Sequence, residues 1–200
     1  MRKIILSFLT VVVAVGSVVV ATKAAFDDVG EVQGTTFTVG NSDLKLLNDL
    51  LAGTVESNLV DTKAGPFFSN LFPGWVKDYE VMIYNAGSLD LDVTSESNYT
   101  TADDPEDLRS YINVEVFDWS DSNSNGLFDE GEETLPSLGK KTIIKWKTEG
   151  IPLGLLGAGD FKGLLLRFSL DTIPTTKQGQ IAKYDFIFEG TTDGVTQTVL

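Results

Sequence analysis

The sequence predicts an all-β protein, an antiparallel jelly-roll sandwich of about eight to nine strands with one or two short helices. Two observations carry that expectation. Apolar residues recur mostly at a spacing of two, the period of half-buried strands, and not at the helical 3.6. The patterned runs are separated by turn chemistry at Gly65-Pro66, Pro73-Gly74, Asn85-Ala86-Gly87, Asn125-Gly126 and Gly157-Ala158-Gly159. No internal repeat or low-complexity linker divides the chain, so one domain is expected over residues 26–200.

Residues 1–25 have the layout of a secretory signal peptide. Arg2 and Lys3 form a positive start, Ile4 to Val20 a nearly unbroken apolar run, and Ala21-Thr22-Lys23-Ala24-Ala25 a small-residue exit. Cleavage is expected after Ala24 or Ala25, by a signal peptidase during export, leaving no stable membrane span. The alternative is a retained anchor, since the run approaches the roughly 18–20 apolar residues that span a bilayer. Ser7, Thr10, Gly16 and Ser17 dilute it, however, and Lys23 followed by two alanines suits a peptidase site better. Removing 25 of the 200 residues leaves 175, enough for a sizeable core.

The strands follow in order. Thr35 to Val39 is the first candidate and Asp43 to Leu46 the next, although Ser42 to Leu51 fits a helical period equally well. Val76 to Tyr84 comes third. Leu89, Leu91 and Val93 alternate with Ser88, Asp90 and Asp92, and Ile112, Val114 and Val116 alternate with Asn113 and Glu115. Thr142 to Lys147, then Leu164, Leu166, Phe168 and Leu170 on one face, Lys183 to Phe188 and Val195 to Leu200 complete the set. A short helix is expected where Asp104 can cap it, with Pro105 in its first position and Leu108 and Tyr111 inward. Gly154-Leu-Leu-Gly157-Ala-Gly159 superficially resembles a phosphate loop but precedes a strand, so it reads as a flexible loop.

Composition excludes several chemistries. The chain holds 15 basic and 29 acidic side chains; three of the basic ones and none of the acids fall in residues 1–25, so the remainder carries a formal charge of −17. Such a surface repels nucleic acid and anionic lipid and attracts divalent cations. With no cysteine, disulfides are excluded and stability must come from the core, from metal or from association with neighbours. With no histidine as well, Ser-His-Asp and Cys-His nucleophile systems and HExxH zinc sites are excluded together. Asn98-Tyr99-Thr100 is a glycosylation sequon.

The sharpest motif runs from Asp121 to Glu132 and matches the twelve-residue calcium-loop pattern D-x-[DN]-x-[DN]-G-x5-E at every defined position. Side-chain oxygens of Asp121, Asn123 and Asn125 can converge on one point, Gly126 permits the sharp turn, and Leu127 offers its carbonyl. Asp129 binds directly or through water, and Glu132 closes the site with two oxygens. Phe128 is expected to point inward and tether the loop. The competing reading is an acidic turn without an ion. Because a strand enters and Leu135-Pro136 follows, where a sensor would have helices on both sides, the expected ion is structural. Calcium at tenfold its dissociation constant would stabilise the fold by about 1.4 kcal/mol, enough to order a hairpin loop.

Several segments, from Ala24-Ala25-Phe26-Asp27-Asp28 through Leu71-Phe72-Pro73-Gly74 to Tyr184 to Glu189, resemble in type and order the motifs of the TasA/camelysin family. Ala24-Ala25-Phe26-Asp27-Asp28 and Thr36-Phe37-Thr38-Val39-Gly40-Asn41-Ser42-Asp43-Leu44 resemble its A-x-F-[SN]-D and T-F-x-x-G-x-x-D-L signature. Leu71-Phe72-Pro73-Gly74, Tyr84-Asn85-Ala86-Gly87-Ser88-Leu89, Asp104-Pro105-Glu106-Asp107-Leu108, Gln178-Gly179-Gln180 and Tyr184 to Glu189 resemble later family segments. The resemblance implies export by a SipW-type signal peptidase and a jelly-roll subunit at the cell surface or in a biofilm matrix, self-associating into filaments by donor-strand exchange. Residues 26–40 are then the candidate donor strand, with Phe26, Val29, Val32, Phe37 and Val39 as its apolar contacts. The alternative is that this segment pairs within its own subunit.

Trp75 departs from the family pattern, beside Phe67, Phe68, Leu71 and Phe72, as part of the core or of a subunit contact. The calcium loop is not part of the signature. Two further readings are a monomeric cell-surface adhesin or matrix accessory protein, and a metallopeptidase like camelysin. Without His or Cys, a metal here would be held by oxygen alone, which favours calcium or magnesium over zinc; the chain is therefore read as a non-enzyme.

Overall fold

The computed structural model describes residues 42–66, 68, 71–177, 180–192 and 195–199. The signal peptide with Ala24 and Ala25, the strand Thr35 to Val39, and the donor contacts Phe26, Val29, Val32, Phe37 and Val39 lie outside the described residues, as do Phe67, Gln178 and Gly179.

The described strands form two antiparallel sheets. The larger is ordered β2 (Leu59–Val60), β1 (Leu44–Leu47), β3 (Trp75–Asn85), β8 (Phe161–Leu170), β5 (Ile112–Trp119) and β6 (Glu133–Thr142). The smaller is ordered β10 (Val195–Val199), β9 (Asp185–Thr192), β4 (Leu91–Asn98) and β7 (Ile151–Leu156). The protein is therefore all-β, a two-sheet antiparallel sandwich with one α-helix among the described residues. The Ser42 to Leu51 ambiguity resolves as a short strand followed by turns.

Alternation explains which residues meet. Leu164, Leu166, Phe168 and Leu170 of β8 share the inward face and are buried, as are Val81 and Ile83 of β3 and Val114 and Val116 of β5. They pack against Leu91 and Val93 of β4, Leu153 of β7 and Phe188 of β9, closing one continuous core. Each fully buried Leu or Ile contributes roughly 1.5–3 kcal/mol. Phe168 and Phe186 meet across the sandwich with ring centroids 5.2 Å apart. Trp75, Phe68 and Leu71 belong to this core, with the Phe68 and Trp75 rings edge to face at 5.0 Å, whereas Phe72 is exposed.

Thr142 to Lys147 is not a strand. β6 ends at Thr142, and Ile143–Glu149 is the helix α1. The β-branched Ile143-Ile144 pair suggests a strand, but Ile143 and Trp146, three apart, lie on one helical face and are both fully buried. Thr142 Oγ1 caps the helix by accepting from Lys145 N, and Gly150 ends it at φ 61°. The Trp146 indole N–H donates to Ser95 O at 2.9 Å, and Ser97 Oγ donates to Ile143 O at 2.8 Å, which ties α1 to β4.

Three further expectations change. Asp104 is a cap, but not of a helix starting at Pro105: its buried carboxylate accepts from Leu108 N at 2.7 Å and Arg109 N at 2.9 Å, and the helical turn is the 3-10 segment Leu108–Ser110. Leu108 and Tyr111 do pack inward. Gly154 is in β7, where its positive φ of 85° accompanies a bulge opposite Val93 and Thr94, so the glycine run is a loop only from Gly157 onward. β2, β6 and β7 had no counterpart among the expected strands: β2 is two residues long, too short to show a period, and Pro136, Gly139, Pro152 and Gly154 break the patterns of β6 and β7, which are sheet edges where such residues are tolerated.

Candidate metal-binding site

Asp121 to Glu132 bridges β5 and β6 as a long hairpin loop. Trp119 and Glu133 are register partners at its base, and Ser120 N donates to Glu132 O at 3.1 Å. The loop lies on the outer face of the larger sheet, away from the sandwich core. There Phe117, Trp119 and Leu165 are buried in a second hydrophobic cluster, with Leu50, Met82 and Phe128 packed against it. Phe128 points inward as its position in the motif predicts, with Arg167 over its ring at 5.4 Å and over the Phe117 ring at 5.1 Å. Arg167 is itself fixed by two bonds to Asp78, at 2.8 and 3.1 Å. Phe128 N donates to Glu80 Oε1 of β3 at 3.1 Å, a second anchor.

The motif residues turn into the loop. Asp121 Oδ1 accepts from Asn125 N at 3.0 Å and Oδ2 from Gly126 N at 2.7 Å. Asn123 Oδ1 accepts from Asn125 N at 3.0 Å, and Asn125 Oδ1 from Leu127 N at 2.7 Å. Asp129 Oδ2 accepts the amides of Asn123 at 2.7 Å and Asn125 at 2.8 Å. Gly126 has φ 73°, in the left-handed region, and a Cβ there would stand 3.0 Å from Leu51 Cγ. Leu127 is largely exposed; the motif asks only for its carbonyl.

Glu132 is the most constrained member. Its Oε1 accepts from Ser122 N and Ser122 Oγ, both at 2.9 Å; its Oε2 accepts from Trp119 Nε1 and Asp129 N, both at 3.1 Å. Desolvation raises its pKa, but these donors outweigh it: Asp129 N–H first, then the Ser122 hydroxyl, the Trp119 indole and Ser122 N–H. Together they hold the carboxyl down at about 2.

Among the described residues, no group of three or more His, Cys, Asp or Glu side chains is arranged to hold a metal ion. The loop's donor set mixes three acids with two asparagines and a carbonyl, all hard oxygens, and suits calcium in kind. In this conformation its carboxylate oxygens face protein N–H and O–H donors, so an ion would have to take over some of those bonds.

Sequence reasoning identified the loop but not its supports. Trp119, Ser122, Glu80 and Leu51 come from β5, the loop itself, β3 and the turn after β1. Only two of them had a signal in the sequence: Ser122 lies inside the motif and Trp119 two residues before it. A groove of about 440 Å³ runs beside the loop between Leu50, Leu51, Met82, Trp119, Asp121 and Phe161. The sequon residue Asn98 is exposed, and its Oδ1 accepts from Lys147 Nζ at 2.9 Å.

No protein-family model matches the chain, and no curated protein matches it.

Proposed function

We propose that the chain is a secreted, non-catalytic structural subunit of an extracellular or biofilm-matrix filament, a TasA/camelysin-like jelly roll that self-associates by donor-strand exchange and binds calcium at residues 121–132. The observation that carries the assembly reading is the uneven protection of the sheet edges. β6 carries Pro136 together with Lys140 and Lys141, and β7 carries Pro152 and a bulge. Proline and lysine on an edge oppose strand addition there. On the other side of the larger sheet, the edge strand β2 covers only Leu46 and Leu47 of β1 and carries neither proline, lysine nor bulge. Beside it a groove of about 290 Å³ separates Leu46, Tyr79 and Val81 of that sheet from Phe186 and Phe188 of β9. An incoming strand would find main-chain partners and apolar seats together at such a place. The alternating apolar residues Phe37 and Val39, with Phe26, Val29 and Val32, suit that role.

The test is electron microscopy of purified residues 26–200, with calcium and with chelator. Filaments are expected, and removing residues 26–40 should leave a folded monomer that forms none. Monomers under every condition would favour the adhesin or accessory reading, and normal fibres from the truncated chain would exclude N-terminal exchange. For the ion, Asp121→Ala should erase the calcium-dependent rise in melting temperature; an unchanged response would move the site elsewhere.

A further inference from the structure

The residue that joins the loop to the body of the protein lies outside the twelve-residue motif. Trp119 is the last residue of β5, 5% exposed, and its indole N–H donates to Glu132 Oε2 at 3.1 Å. Its place is set by the sheet. Its register partner on β8 is Gly163, where a Cβ would stand 2.4 Å from Trp119 O and 3.2 Å from Trp119 Cε3, so the glycine admits the close approach of the Trp119 carbonyl and leaves the indole edge its room beside β8. The same ring belongs to the cluster with Phe117 and Leu165, against which Phe128 packs. Glu132 thus has two kinds of partner. The Ser122 hydroxyl can rotate and release a lone pair of Oε1, whereas the Trp119 N–H is fixed by strand pairing and ring burial.

We propose that Trp119 is a positioning residue for the cation site: it orients the closing carboxylate of Glu132 and links occupancy of the loop to the hydrophobic cluster on the outer face of the larger sheet. This rests on the calcium reading of residues 121–132. A ligand whose oxygen is held in place by an outer partner loses less freedom when the ion arrives, and loss of such a partner typically costs 10–100-fold in metal affinity. Trp119 also supplies a spectroscopic handle. It adjoins the loop, whereas Trp75 and Trp146 belong to the inner core.

The experiment uses the full chain with terbium as the probe and calcium as competitor. Tryptophan-sensitised terbium emission is expected from the unaltered protein, reversed by calcium and absent in Glu132→Gln. Trp119→Phe keeps an aromatic ring but removes the N–H. It should weaken calcium binding about tenfold by calorimetry and abolish the sensitised emission. Unfolding in chelator, compared between Trp119→Phe and the unaltered chain, registers lost packing alone and separates it from lost positioning. Unaltered calcium affinity in Trp119→Phe, with the calcium response of the parent chain intact, overturns the positioning role and leaves the calcium site standing. Absence of terbium and calcium binding to the parent chain removes the calcium reading and the role of Trp119 with it.

Discussion

The two faces of β8 hold neighbouring leucines with different surroundings. Leu164 and Leu166 point into the sandwich, where residues of both sheets and α1 enclose them; Leu165 points outward, covered by Phe117, Trp119, Leu50, Met82 and Phe128. All three are fully buried. The inner face is sealed by a second sheet whose ladder bonds are cooperative, but part of the outer cover is a hairpin loop held by side-chain hydrogen bonds. Equal burial therefore does not mean equal resistance to opening, because local stability follows the cooperativity of the covering element.

The largest expected effect tests that difference directly. Leu166→Ala should cost about 4–5 kcal/mol and Leu165→Ala about 2–3 kcal/mol, because the loop over Leu165 can settle into the space and the opposing sheet cannot. Urea unfolding of the two variants gives both numbers, and equal losses would break the comparison. Gly126→Ala comes next, at about 1–2 kcal/mol, since the left-handed backbone disfavours a Cβ and Leu51 stands in its way. Thermal unfolding measures the loss, and hydrogen exchange should place it in residues 120–132 and the turn after β1, leaving β3 and β8 protected.

The smallest effect is a pH response confined to the loop. Glu132 titrates at about 2 in the folded chain against an ordinary 4.5. A carboxyl whose folded pKa is depressed contributes its stabilisation fully above the ordinary value. That contribution drains away as pH falls from about 4.5 through about 2. The Trp119 indole proton resonance should shift across that window while that of Trp146, bonded to Ser95, stays put. Parallel shifts of both would mean that loop and sandwich open together.

Legibility followed the same division. The inner core was readable from alternation in β4, β5 and β8, because strands with one buried face must place apolar residues two apart. The edge strands β6 and β7 were not, since they carry prolines and glycines that an edge tolerates and a sequence window reads as breaks, whereas the edge strand β10 falls within the expected Val195 to Leu200. α1 was misread because β-branched Ile143 and Ile144 favour a strand locally, while the decisive fact, Trp146 seated on Ser95, is a contact 51 residues apart in the chain. Leu165 looks misplaced on a solvent face until the loop that covers it is seen.

By itself the sequence determined the all-β class, the position of the turns and the twelve oxygen-rich loop residues, because each depends on local periodicity or on spacing within a short segment. Only the tertiary structure decided that the loop folds onto the back of the larger sheet, that Glu80, Leu51 and Arg167 converge there from three other elements, and that Glu132 is tied to Trp119. Those contacts depend on strand order and register, which bring together residues distant in the chain and which no single segment encodes.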